Sequence, residues 1–310
     1  MLKLFILLGF IVGFCDKQST PTKTETYNVG SVEFKMIGVA GGIFVMGCTE
    51  EQGEDCSNRE NPSHNVTLTK DYYIGETQVT QALWVAVMGS NPSWFHSSTD
   101  AVYAGRDNYP VEQVSWEDIV GTSGGVAYTV NGITYYQNGF CYKLSQFAGG
   151  GKQFRLPTGA EWEYAARGGR AITDCPCKKG SNFASGGVSG NQTKYSGSDN
   201  IDDVAWYFNN IPSTIANTSG YGTQEVRMKQ ANSLGIYDMS GNVWEWCSDL
   251  YGDYSSDQID PVGASYGSDR VLRGGSWNYY ARDCRVSNRG LSYPDYRSNN
   301  FGFRLAVSSD

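Results

Sequence analysis

Eight cysteines and two histidines are the side chains of this 310-residue chain that could carry redox or metal chemistry, and their spacing limits what they can do. A zinc site needs four ligands at compatible separations, and only His64 and His96 are present to join the thiols, so a metal reading of the cysteines is weak. Cys48 and Cys56 flank a short polar loop and are read as a disulfide. Cys175 and Cys177 stand on either side of Pro176 and could each reach several partners, among which the sequence does not choose. With Cys15 set aside, seven cysteines remain, so an exported chain keeps at least one unpaired.

A second group of residues could do recognition chemistry. From Trp277 to Phe301, 17 of 25 residues are Asn, Tyr, Arg, Ser or Asp, with neither a 2 nor a 3.6 period, between strand-like Arg270–Gly274 and Gly302–Val307. A polar, aperiodic stretch held between two strands reads as a surface loop. Tyr offers a large contact area with few rotors, while Asn and Ser adapt their hydrogen bonds, which is the composition of a paratope. The bland alternative is an Asn-rich loop with no partner.

The elements that must position these residues are legible in part. Val32–Val39 and Gly42–Gly47 read as an opening hairpin split by Ala40-Gly41-Gly42, and Asn65–Thr69 with Tyr72–Ile74 as a third strand region. Leu83, Trp84, Val87 and Met88 fall at helical spacing, with Thr80 as cap and Gly89 as stop. Ser115 stands three before Asp118 and opens a second helix at Trp116. Asn131-Gly132 between two β-prone runs predicts a type I′ hairpin inserted at about 121–138, after which a helical segment resumes around Phe140–Phe147. Thr158 and Glu161 form a full capping box for a helix that carries Trp162, Ala165 and Ala166 and stops at Gly168-Gly169. Short strands follow at Val204–Phe208, Gly235–Met239 and Val243–Cys247. The class is α+β, loop-rich with few helices, in one domain spanning 31–310.

The ends and the charge set the compartment. Lys3 followed by the apolar run Leu4–Phe14 has the order of a secretory n-region and h-region, and falls short of the ~20 residues a spanning helix needs. Val12-Gly13-Phe14-Cys15 is similar to a bacterial lipobox, which makes Cys15 the expected lipidation site. Phe14 stands where a small residue is usual, and the other reading is a signal peptide without lipid. Residues 16–30, with Thr20, Thr22, Thr24 and Thr26 around Pro21, read as a flexible tether. A net charge of -8 without a basic block excludes a nucleic-acid partner and leaves the lipid as the only expected membrane contact.

Four stretches coincide with one family: Pro110-Val-Glu-Gln-Val-Ser-Trp-Glu-Asp118, the run Arg155-Leu-Pro-Thr-Gly-Ala-Glu-Trp162 continuing to Gly169, Gly235-Ile-Tyr-Asp-Met-Ser-Gly-Asn-Val-Trp-Glu-Trp246, and Arg273-Gly-Gly-Ser-Trp277 with Gly302-Phe-Arg304. From about Phe34 to Val307 the chain resembles the formylglycine-generating, sulfatase-modifying-factor family. The resemblance implies a C-type-lectin-like fold, a small core wrapped by long loops, from which the hairpin near Asn131 departs. It also implies a test for catalysis, since the enzymes oxidise a substrate cysteine with copper held by a cysteine pair after the Gly-Gly-Ser motif. Here the stretch from Trp277 to Cys284 is shorter than in the enzymes, so the catalytic positions fall in a deleted segment. Cys284 aligns with a structural position, as a buried small hydrophobe or a partner of Cys247. The three-histidine iron site of other members cannot be built from two histidines. Neither catalysis nor a required cofactor is expected.

Calcium is the metal the resemblance leaves open. Asn242, Val243 and Glu245 match a family calcium loop whose oxygens suit a hard cation, and Asn182, Phe183 and Asp203 correspond to another. The competing reading of Asn242 and Glu245 is a buried hydrogen-bond cluster between Trp244 and Trp246.

The C-terminal segment resembles, in turn, the variable region of proteins diversified by retroelements, of the treponemal variable lipoprotein type, in which AAC-type codons change while a frame stays fixed. Residues of the interchangeable set are Asn278, Tyr279, Tyr280, Asp283, Gly290, Leu291, Ser292, Tyr293, Asp295, Tyr296, Ser298, Asn299 and Asn300, within a variable region at about 277–301. Trp277, Arg282, Arg285, Arg289, Pro294, Arg297 and Arg304 form the frame. The reading is a lipid-anchored cell-surface or outer-membrane protein whose thirteen positions meet an unknown protein or glycan ligand. A copper-dependent oxidase and an inert structural surface lipoprotein are the alternatives.

Overall fold

The computed structural model describes residues 22–96, 101–172 and 192–309. The chain enters on β1 (Thr24–Val29), turns at Gly30 with φ 59°, and pairs back along β2 (Val32–Ala40). β3 (Gly42–Met46) leaves this sheet to pair with β4 (His64–Leu68), and β5 (Tyr72–Gly75) returns beside β2. Two expectations are thereby corrected. The opening hairpin is β1–β2, not β2–β3, and the tether does not extend to residue 30. Thr24 and Thr26, read as tether, are strand residues on an exposed face, a setting that suits β-branched side chains; on the other face the Tyr27 ring lies 5.4 Å from Phe34 and 5.1 Å from Phe154. Residues 16–21 and Cys15 lie outside the described residues.

The local signals hold where their chemistry is local. α1 (Gln81–Met88) begins with the Leu83 N–H donating to Thr80 Oγ1 and ends at Gly89, φ 86°. α2 (Trp116–Val120) carries the reciprocal Ser115/Asp118 box. β6 (Ala127–Val130) and β7 (Ile133–Tyr136) form the inserted hairpin, with Asn131 and Gly132 both at positive φ as a type I′ turn requires. Tyr128 stacks on Tyr135, whose hydroxyl accepts from the Leu156 N–H, so the insertion is tied down from below. α3 (Phe140–Ala148), β8 (Phe154–Arg155), α4 (Gly159–Ala166) and β9 (Arg170–Ala171) complete this half.

The second half is mostly loops. It contains α5 (Ile201–Val204), β10 (Ala205–Trp206), β11 (Ser240–Gly241), β12 (Trp244–Leu250), β13 (Gln258–Ile259), β14 (Arg270–Arg273), β15 (Arg289–Ser292), β16 (Phe301–Gly302) and β17 (Ala306–Ser308). Gly235–Met239 is not a strand, and the expected strand Gly302–Val307 splits into β16 and β17 in different sheets. The split follows from Arg304, whose guanidinium turns inward between them onto Glu245.

A six-stranded sheet runs β1-β2-β5-β17-β8 with β9 on β2, so the first and last strands of the domain share a sheet and α1 and α3 pack against it. β15-β14-β12-β16 forms a second, four-stranded sheet, and β13-β4-β3 a third. Between them the core holds ion pairs as well as rings: Arg155–Glu161, Arg167–Glu163, Arg273–Glu163, Arg285–Glu60 and Arg304–Glu245, at 2.6–2.9 Å. Charges this deeply buried persist only when paired.

Candidate binding face

The four-stranded sheet and the loops after it position the thirteen residues expected to vary. β15 pairs along β14 with Leu272 opposite Gly290 and Val271 opposite Leu291. Gly290, Leu291 and Ser292 therefore lie on an edge strand, not in a loop as the aperiodic sequence suggested; the strand is held by its partner, with no alternation of its own to announce it. Asn278, Tyr279, Tyr280, Tyr293, Asp295 and Tyr296 are exposed, and Asp283, Gly290, Leu291, Ser292, Ser298 and Asn299 are half-buried.

Asn300 is a correction. It is only 5% exposed, its side-chain amide donating to Asn278 Oδ1 at 3.0 Å while its backbone carbonyl accepts from the Trp244 N–H. Asn300→Asp replaces that donor with an oxygen facing an oxygen, and thermal unfolding should show a loss of about 1–3 kcal/mol, not the silence of a surface change.

The frame divides in two. Trp277, Arg285, Arg289 and Arg304 point inward, whereas Arg282 and Arg297 do not. Arg285 grips Glu60 with both terminal nitrogens, at 2.7 and 2.9 Å, and donates to the Asp55 carbonyl. Asp55 and Glu60 flank Cys56, which is bonded to Cys48 at 2.04 Å as expected, so the disulfide loop buttresses the segment before β15. Arg289 donates to the Arg59 and Gly252 carbonyls and lies 3.9 Å from the Tyr254 ring. Arg297 clamps Asp118 from outside at 2.6 and 2.8 Å, fastening the loop before β16 to the start of α2. The Ser298 and Pro294 carbonyls, accepting from the Gln113 and Glu117 N–H groups, fasten it again. Sequence reasoning missed Glu60 and Asp118 as the partners; nothing within a few residues of either points to an arginine so far along the chain.

These clamps make the face acid-sensitive. Burial pushes the Glu60 carboxyl up, but Arg285 and Ser287 outweigh it and hold it below its ordinary value; at Asp118 burial is likewise outweighed by Arg297 and Ser115. A carboxylate with a depressed folded value contributes stability that is present above its unfolded value, about 4, and is lost as pH falls through the folded one. Below about pH 4 the 277–300 segment should loosen, read as faster hydrogen exchange there than in α4.

On the face itself, Trp244, Leu272 and Phe301 floor a depression of about 280 Å³ walled by Tyr279, Asp283, Gly290 and Leu291. Tyr279 meets the Trp244 ring edge-on at 5.5 Å. The hollow exists because position 290 is glycine: a Cβ there would stand 3.2 Å from Leu272 Cβ and 3.3 Å from the Trp244 ring. Buried residues thus form the floor, and residues expected to vary form part of the walls.

The calcium loop does not fit its expected role. Asn242 spends its side chain on the backbone of Gln224, accepting and donating at 3.0 Å. Glu245 accepts from Trp162 Nε1 and Arg304 Nε at 2.6 Å on one oxygen and from Arg304 Nη2 and Gln78 Nε2 on the other, and the Val243 carbonyl accepts from Gln78. Asp203 accepts from Asn200 and Ser198, while Asn182 and Phe183 lie outside the described residues. Of the thiols, Cys247 and Cys284 are both free and buried, in separate apolar clusters, so they are not partners of one another. Burial pushes both thiols far above their ordinary value, the opposite of what a copper-binding thiolate needs. Cys175 and Cys177 lie outside the described residues.

A loop-rich α+β domain whose first and last strands share one sheet, and whose second sheet carries long loops, is a C-type-lectin-like fold. The chain belongs to the sulfatase-modifying-factor family: the family model described as sulfatase-modifying factor enzyme 1-like domain matches residues 22–309. It is 34% identical to the chaperone protein LppX of Paenibacillus barcinonensis over 96% of this chain and 94% of that one. It is 30% identical to the formylglycine-generating enzyme of Streptomyces coelicolor, over 88% and 89%. Among solved structures, variable protein 1 of Treponema denticola superposes with a TM-score of 0.67 at 33% identity, over 92% of this chain and 99% of that chain.

Proposed function

We propose that this chain is an exported, lipid-anchored binding protein that presents the 278–300 face to a macromolecular ligand, protein or glycan, and binds without turnover or a required cofactor. The observation that carries the reading is the division of labour in one segment: Trp277, Arg285 and Arg289 are buried and bonded inward while six of the interchangeable residues between and beyond them face solvent. Similarity to a variable protein supports it. The Cys48–Cys56 bond supports export, since disulfides persist in oxidising compartments. The twelve exposed or half-buried positions are fewer than the ~20 residues one partner brings to a standard interface, so Phe208, which meets Tyr280 at 5.4 Å, and the exposed Arg59 beside the depression extend the face.

The test is to sequence this locus in several isolates. Substitutions concentrated at the exposed and half-buried variable positions, with Trp277, Arg285 and Arg289 unchanged, are expected; substitutions scattered evenly over the surface would leave an inert structural protein as the better account. The identity with formylglycine-generating enzymes gives the oxidase its own assay. Copper-loaded protein should leave a Cys-x-Pro-x-Arg peptide without aldehyde, and conversion of the peptide would overturn the reading.

A further inference from the structure

The oxygens of the expected calcium loop converge on a side-chain nitrogen. Gln78, just before α1, is 1% exposed. Its Nε2 lies 3.1 Å from the Asp238 carbonyl, 3.3 Å from that of Gly241, 3.2 Å from that of Val243 and 3.0 Å from Glu245 Oε1. An amide nitrogen carries two hydrogens, so it cannot serve more than two of these four oxygens at any moment. Three carbonyls and a carboxylate gathered about one point are instead a hard cation's donor set, at separations wider than the ~2.3–2.6 Å of calcium contacts.

Two further observations point the same way. Gln78 Oε1 is buried and without a hydrogen-bond partner, so the amide is placed for its nitrogen and not for its oxygen. The loop that supplies the carbonyls is wound tightly, with Asp238, Gly241 and Asn242 at φ 57°, 79° and 64°. Positive φ at a non-glycine residue costs energy and persists only when the surroundings enforce it. Arg304, fully buried, already balances Glu245, so a divalent ion there would bring buried charge for the carbonyl dipoles to offset. A neutral donor adds no such charge.

We infer that Gln78 is a built-in substitute for a cation, holding the 238–245 loop in a metal-binding conformation without metal, and that shortening it opens a latent cation site of the chain's own oxygens. The consequence reaches the binding face because Trp244, the floor of the depression, is carried by this loop. Its placement is then independent of the calcium around the cell.

The experiment compares wild type, Gln78→Gly and Gln78→Glu of the full chain by thermal unfolding in EDTA and in 5 mM calcium chloride, with a calorimetric calcium titration of each. Wild type should show no calcium-dependent change and bind no calcium. Gln78→Gly should melt lower in EDTA and recover at least about 5 °C with calcium, binding one ion. Gln78→Glu, which places a carboxylate among the same oxygens, should show a larger recovery. Calcium binding by wild type at this loop would overturn the inference, because the amide would then not be the occupant. So would two variants whose melting calcium leaves unchanged, or which remain unfolded in calcium, because the oxygens would then not form a site.

Discussion

Glu163→Ala is expected to cost the fold about 5 kcal/mol or more, since removing one partner of a buried pair costs ~3–5 kcal/mol and this carboxylate serves two arginines. One oxygen accepts from Arg167 Nε at 2.9 Å and from the Gly47 N–H at 2.8 Å; the other accepts from Arg273 Nη2 at 2.8 Å. Arg273 is fully buried, its other terminal nitrogen spent on the Ser287 and Asn288 carbonyls just before β15. Alanine would leave the Arg273 guanidinium in the interior with no anion and Arg167 with only Glu51, at 2.6 Å, and would free the β3–α4 contact made through Gly47. The control is Glu33→Ala, whose 4.0 Å contact with Lys35 lies in solvent and should change stability by no more than ~1 kcal/mol. Urea unfolding of the two variants decides it. Equal losses would mean that the buried pairs contribute nothing beyond surface charge and that the rings alone hold the domain.

What the sequence disclosed and what it withheld divide along one physical line. α1, α2, α4 and the β6–β7 hairpin were legible because each is specified within four residues, by Thr80, Ser115 with Asp118, Thr158 with Glu161, and Asn131-Gly132. The Cys48–Cys56 bond was legible across only eight residues. Glu163 with Arg273 and Glu60 with Arg285 are 110 and 225 residues apart, and a lone glutamate in sequence looks the same whether it is solvated or buried. Arg285, Arg289 and Arg304 were placed in a fixed frame from the resemblance, but their partners were not. The strand β15 was hidden because an edge strand held by its neighbour needs no alternation. Asn300 was misplaced because an amide serves equally at a contact surface and under one, and only the geometry of Asn278 and Trp244 distinguishes the two.

The separation of frame from face makes the second large prediction. Trp277→Ala should cost about 3–5 kcal/mol, as expected for a buried tryptophan. The ring is 3% exposed, meets Phe95 and Tyr221 edge-on at 5.4 and 5.0 Å, and donates through Nε1 to the Asn299 carbonyl, while its own N–H donates to the Asn242 carbonyl. The side chain therefore ties the start of the 277–300 segment to its end, and its loss frees Asn299 and leaves a cavity that Phe95, Tyr103 and Ile211 cannot close without moving. Three residues on, Tyr280 is 55% exposed and touches the half-solvated Phe208 ring at 5.4 Å, so Tyr280→Ser should stay within ~0.5 kcal/mol. The same pair of variants separates stability from recognition once a ligand is in hand. Tyr280→Ser should change affinity in a protein that melts like the parent, and Trp277→Ala should change both together. A Tyr280→Ser protein destabilised as much as Trp277→Ala would mean that the exposed tyrosines are part of the scaffold, and a scaffold residue cannot be exchanged freely from one variant to the next.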